Sequence, residues 1–152
     1  MIREKLRLAI SDMAYVNLME CELRDIDSNP VLRDAVRTAC VMVYARPFTG
    51  SIASNNVYKR WLKQYDERIK KYLNEIEPRL YEVHQAIIEE RNTIISHNDY
   101  RHHSVNGEVT SQSECFKTFT HKEFNKVNLL MEKFLKSELV RTDEKYPLEL
   151  QP

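Results

Sequence analysis

A chain of 152 residues is the length of one domain and long enough to bury a core of its own. With 42% hydrophobic residues, 30% charged and only two glycines, it is rich in helix formers, which favours an all-α protein and argues against a sheet-rich one. Lysine plus arginine and aspartate plus glutamate each total 23, so no global field draws the chain toward nucleic acid, and binding of that kind has to use a local patch.

The first apolar stripe, Ile2, Leu6, Ala9, Met13 and Val16, recurs at spacings of three and four, with Ile10, Asn17 and Leu18 widening the face, and predicts a helix ending near Arg24. Ser28 or Asn29 can cap the next helix, and Pro30 suits its first turn, where a missing N–H goes unneeded. That second helix puts Val31, Leu32, Ala35, Val36, Ala39, Cys40 and Val43 on one broad apolar side, which predicts it to be the most buried of all. Pro47 ends it, and residues 48–56 read as a long loop. From about Val57 an additional helical segment carries an irregular stripe through Trp61, Leu62, Tyr65, Ile69, Tyr72, Leu73 and Ile76, until Pro78 breaks or restarts it.

The third main helix runs from Pro78 to about His97, with Leu80, Val83, Ile87, Ile88, Ile94 and Ile95 turned inward or toward an interface. Asn106-Gly107 between Val105 and Val109 predicts a small two-stranded flap. Thr120-His121-Lys122-Glu123 is a capping box. It opens a last helix whose stripe is Phe124, Val127, Leu130, Met131, Phe134, Leu135 and Leu139. Residues 1–141 thus read as one helical domain, an antiparallel bundle of four main helices plus the additional helical segment and the β-hairpin, and 142–152 as a flexible polar tail.

Cys21, Cys40 and Cys115 are odd in number and widely spaced, and read as reduced, mostly buried thiols in a cytoplasm rather than as a zinc or redox centre. Charges recur every few residues from the N-terminus onward, leaving no signal-peptide core, and the longest apolar run, 39–45, is far too short to span a bilayer. The chain reads as soluble and cytoplasmic.

The most informative stretch is Arg91-Asn92-Thr93-Ile94-Ile95-Ser96-His97. A fixed cation, an amide and a group titrating near neutrality are the parts needed to bind and cleave a phosphodiester without a metal or other cofactor. His97 would act as general base on a ribose 2′-OH or as acid for the leaving 5′-oxygen, and Arg91 would stabilise charge on the phosphorane. Asn92 would orient the imidazole or donate to a phosphate oxygen. The chemistry requires RNA, because DNA lacks the internal nucleophile. On a straight helix Arg91 and His97 differ by about 120° around the axis and roughly 9 Å along it. One helix does not stack them into a compact site, whereas a twofold homodimer brings two copies of the motif into one cleft. Without that chemistry, the two are positive groups complementing a helix C-terminus.

Beyond the helix, Arg101, His102 and His103 near the flap, with Tyr100 and Arg91, are a candidate basic-aromatic patch suited to holding single-stranded RNA by charge and stacking. The histidines with His97 and Asp99 are a weaker candidate for a metal, since no i, i+4 histidine pair fixes a tetrahedral set.

Two motifs together carry a family resemblance. The R-N-x-x-x-x-H form of residues 91–97, preceded by Val43-Tyr44-Ala45-Arg46-Pro47-Phe48 and by Trp61-Leu62, resembles the HEPN superfamily, and within it a bacterial HEPN-like family related to abortive-infection phage-defence proteins. The resemblance spans about residues 31–100. It implies a HEPN-like bundle and a metal-independent endoribonuclease of phage defence or a toxin–antitoxin system, with a composite site at a homodimer cleft. It further implies catalytic Arg91, Asn92 and His97, with Tyr44 and Arg46 lining the cleft, and an antitoxin or nucleotidyltransferase as partner. As bare residues, Tyr44 is a packing residue and Arg46 a salt bridge or helix cap. Glu20 or Glu22 either pairs with Arg91 or lies on a solvated helix face. A catalytically silent module of the same fold, binding RNA, a nucleotide or a partner protein, is the alternative function, and a plain helical interaction domain the third.

Overall fold

The stripes and caps become five α-helices in a computed structural model that describes residues 2–23, 29–49, 57–97 and 118–145, the side chains of 23, 57–64 and 94–97 apart. They are α1 (Ile2–Leu23), α2 (Pro30–Ala45), α3 (Val57–Ile76), α4 (Pro78–His97) and α5 (His121–Lys145), with a short 3₁₀ turn at Arg46–Phe48 after α2. No strand occurs among the described residues, in keeping with the all-α class. The hairpin expected at 105–109 lies outside them. Residues 142–145, expected in the flexible tail, are instead the end of α5, and the rest of that expected tail lies outside the described residues. No helix among the described residues is long and apolar enough to cross a membrane.

The helix starts are written in local chemistry. Asn29 Oδ1 accepts from the Leu32 N–H at 3.1 Å, with Pro30 in the first turn of α2. At the start of α5, Thr120 Oγ1 accepts from the Glu123 N–H at 3.2 Å while Glu123 Oε2 accepts from the Thr120 N–H at 2.7 Å. That reciprocal pair satisfies two donors the helix cannot satisfy itself. Between α3 and α4 only Glu77 leaves helical conformation. Pro78 has no N–H to continue the ladder, and Leu80 N instead donates to Glu77 O at 3.0 Å to begin the next helix.

The core draws Leu6, Ala9, Met13 and Val16 from α1, Ile69 and Leu73 from α3, Leu80, Val83 and Ile87 from α4, and Phe124, Val127, Met131 and Leu135 from α5. Burying a leucine or phenylalanine this fully contributes about 1.5–3 kcal/mol each. Contacts along the seam set directions. Arg3 pairs with Asp143 at 2.6 Å, Asn17 Nδ2 donates to Glu132 Oε2 at 2.7 Å, and Glu20 pairs with His121. Numbers rise along α1 as they fall along α5, so the two are antiparallel. The same holds for α3 and α5, where Arg68 pairs with Glu138 and Tyr72 stacks at 5.4 Å on Phe134.

Two expectations need correction. First, α4 and α5 begin side by side rather than antiparallel, since Arg79 Nε donates to Glu123 Oε1 at 3.1 Å and Lys126 pairs with Glu77. Short connections force neighbours antiparallel, and residues 98–117 are too long a connection to impose it. Second, α2 is not the most buried helix. Its buried residues are Cys40, Val41, Tyr44 and Ala45, all in its C-terminal half, while Val31 and Leu32 stand 80% and 46% exposed. Its apolar stripe is wider than the core it meets, and the face that reaches the core is set by Tyr44 rather than by Val31 and Ala35.

Candidate functional site

Helix α4 carries the proposed chemistry at one end and anchors it at the other. Leu80, Val83, His84 and Ile87 are all buried, fixing the first half of the helix in the core. Two turns beyond His84, Arg91 and Asn92 are half-buried, and Arg91 Nη1 donates to Asn92 Oδ1 at 3.1 Å. Among the described residues, the guanidinium is thus held by its neighbour's amide rather than by a carboxylate. His97 is the last residue of α4, and its side chain lies outside the described residues, as do Tyr100, Arg101, His102 and His103 of the basic-aromatic patch.

The residues that the Tyr-x-Arg-Pro-Phe element supplies are placed differently from one another. Tyr44 is fully buried, with its hydroxyl 2.8 Å from His84 Nδ1. Its ring lies 5.6 Å from Phe48 and 5.7 Å from Phe124, and His84 meets Phe48 edge-on at 4.9 Å. Burial pushes the Tyr44 phenol well above its ordinary value and the His84 imidazole down to about 3, so both are neutral and share one hydrogen bond. Tyr44 is therefore a core residue, one side of a buried polar pair joining α2 to α4. Only through α4 does it bear on Arg91.

Arg46 is at the surface. Its Nε and Nη2 donate to the two carboxylate oxygens of Asp12 at 3.1 and 2.8 Å, a bidentate pair tying the 3₁₀ turn to α1. Burial raises the Asp12 carboxyl above its ordinary value, and the Arg46 charge and hydrogen bonds oppose that rise. The Arg46 side chain remains 62% exposed, so it can touch a ligand without leaving Asp12. Both bare-residue readings are met, since Arg46 pairs with Asp12 and is also the C-cap of α2, its N–H donating to Val43 O.

The pairing of Glu20 with Arg91 is not formed. Glu20 is buried against His121 where the end of α1 meets the start of α5, and Glu22 is exposed. Among the described residues no group of three or more histidine, cysteine, aspartate or glutamate side chains comes together to hold a metal ion. The cluster of Asp99, His102 and His103 with the His97 side chain lies outside them.

Sequence reasoning missed His84, Asn128 and Glu138, which are buried. The signal for His84 was present, since it stands four residues after Leu80 and three before Ile87, in phase with an apolar stripe. Asn128 donates to Met13 O at 3.1 Å and to Asn17 Oδ1 at 2.7 Å, replacing an apolar contact with a polar seam between α1 and α5. No family model, no characterised protein and no solved structure matches the chain.

Proposed function

We propose that this protein is a HEPN-type, metal-independent endoribonuclease, cytoplasmic and built as a twofold homodimer, in which Arg91, Asn92 and His97 of two α4 helices share one RNA-binding cleft. The observation that carries the reading is the contact between Arg91 and Asn92 on a half-buried face of α4, two turns from a His97 that ends the helix. A guanidinium oriented by a neutral amide keeps its charge available for a phosphate, which a salt bridge to a carboxylate would cancel. The negative end of the helix dipole favours cations over a bare phosphate, which makes both residues necessary for holding the substrate. In this reading Arg46 and the basic-aromatic residues Arg101 and His102 hold the RNA strand, and an antitoxin or nucleotidyltransferase controls activity in phage defence.

A second reading has its own support. Tyr44 is committed to His84 and Arg46 to Asp12, so both cleft residues of the Tyr-x-Arg-Pro-Phe element already serve the fold. That favours a catalytically silent module binding RNA, a nucleotide or a partner protein through the same end of α4.

Incubation of the purified protein with single-stranded RNA in the presence of a chelator tests the first against the second. Cleavage leaving 2′,3′-cyclic phosphate ends, and lost in both His97→Ala and Arg91→Ala with the helical content unchanged, supports the nuclease. RNA bound but left intact supports the silent module. Cleavage undiminished in His97→Ala ends the mechanism.

A further inference from the structure

The face that α1 and α5 turn away from the core carries an ordered pattern. Along α5, Lys122, Asn125, Leu129, Lys133, Lys136 and Val140 follow one another at spacings of three and four, the spacing of a single helix face. Five of the six are exposed, Leu129 and Val140 by half or more, and Asn125 is half-buried. The stripe itself holds no acidic residue, although Glu132 lies beside it in the seam and Glu22 is exposed one turn after Leu18, and neither Lys122 nor Lys133 has an ion-pair partner among the described residues. Lys136 reaches back to Glu132 at 2.5 Å.

The neighbouring helix extends this face. Asn128 and Asn17 hydrogen-bond across the seam at 2.7 Å, and the residue after each, Leu129 and Leu18, is turned outward by one helical step of about 100°. Both are at least half exposed, so they stand on the two lips of the seam, with Ala14 one turn before Leu18. Two antiparallel helices thus present Leu18 and Leu129 outside a polar seam of Asn17, Asn128 and Glu132, with the lysines of α5 beside them.

The chemistry selects one occupant. A second copy of the same face would set lysine against lysine, which disfavours self-association. Single-stranded RNA needs aromatic platforms for its bases, and the α5 stripe has none. A helix with leucines at three- and four-residue spacing and carboxylates beside them matches both the exposed Leu18, Leu129 and Val140 and the cations. We propose that the outer seam of α1 and α5 docks an acidic amphipathic helix of a partner protein, whose apolar residues seat between Leu18 and Leu129 and toward Val140, and whose carboxylates meet Lys122, Lys133 and Lys136. The docking surface stands independently of the nuclease reading.

The test uses the full chain and a fluorescein-labelled peptide of leucine, alanine and glutamate with leucines on one helical face, beside a scrambled peptide of identical composition. Fluorescence anisotropy is expected to show saturable binding of the patterned peptide alone, weakened by added salt. In a Leu129→Glu, Lys133→Glu double variant the affinity falls by about tenfold or more, the range of a lost central contact, while the urea unfolding curve stays that of the parent because both side chains are exposed. Equal binding of the scrambled peptide, no binding of either, or unchanged affinity in the variant overturns the proposal. Capture of anionic vesicles or single-stranded RNA by this face, lost in the same variant while the patterned peptide never binds, overturns it in favour of a different partner.

Discussion

His84 has the most consequential environment of any single residue. It is essentially inaccessible, hydrogen-bonded to Tyr44 and ringed by Phe48 and Tyr81, and burial holds its imidazole at about 3. An unfolded chain binds that proton at about pH 6.5. Between the two values the unfolded state takes up a proton that the native state excludes. Stability is therefore full above about pH 6.5 and lost as the pH falls toward 3, by on the order of a few kcal/mol. Urea midpoints at pH 7 and pH 5 should differ more for the parent than for His84→Phe, and an equal drop in both would assign the acid sensitivity elsewhere. Tyr44→Phe leaves the buried imidazole nitrogen without its partner and should cost about 1–3 kcal/mol at neutral pH. Arg46→Ala should behave oppositely. Its ion pair is mostly solvated and is worth less than about 1 kcal/mol, so any loss of RNA cleavage or binding in a variant of unchanged stability identifies a ligand contact. Position in an apolar stripe made His84 legible as a core residue, but its partner was not, because the 40 residues separating it from Tyr44 carry no record of which helices meet.

Helices, by contrast, were legible wherever their boundaries rest on local chemistry. Asn29 with Pro30, Glu77 with Pro78, and Thr120 with Glu123 each set a helix start that neighbouring residues alone dictate. The box at Thr120 also anchors a wider network, since Glu123 accepts from Arg79 of α4, and these bonds hold the Glu123 carboxyl below its ordinary value, the Thr120 N–H first among them. Thr120→Ala should cost about 1 kcal/mol and lower the thermal midpoint by about 2–4 °C. A thermal scan showing no shift would mean that the start of α5 frays without consequence for the fold. What local chemistry does not encode is direction and depth. The periodicity of α2 reports an apolar side but not how much of it finds a neighbour, so Val31 reads like Val41 although one is exposed and the other buried. The shared start of α4 and α5 likewise is not set by neighbouring residues, because residues 98–117 are too long a connection to impose a direction.

For the whole molecule, the arrangement of α4 constrains any catalytic assembly. Arg91 and His97 leave the helix about 120° apart and roughly 9 Å along it, and the Arg91 guanidinium rests on Asn92 next to it in sequence instead of reaching down the helix. In the proposed assembly, the arginine of one protomer meets the histidine of another across a twofold axis, so that one phosphate feels both groups. Light scattering at tens of micromolar, a concentration suited to detecting weak association, should therefore give a dimer. Complementation is the sharper measurement. Arg91→Ala and His97→Ala proteins, each inactive alone, should regain RNA cleavage when mixed and allowed to exchange subunits, because a mixed dimer keeps one intact arginine and one intact histidine in the shared cleft. A site built within each protomer has no such remedy, since every protomer in the mixture lacks one of its two groups. Mixing that restores nothing, in a preparation where exchange is verified by differently labelled subunits, would place the chemistry within one chain and remove the argument for a composite cleft.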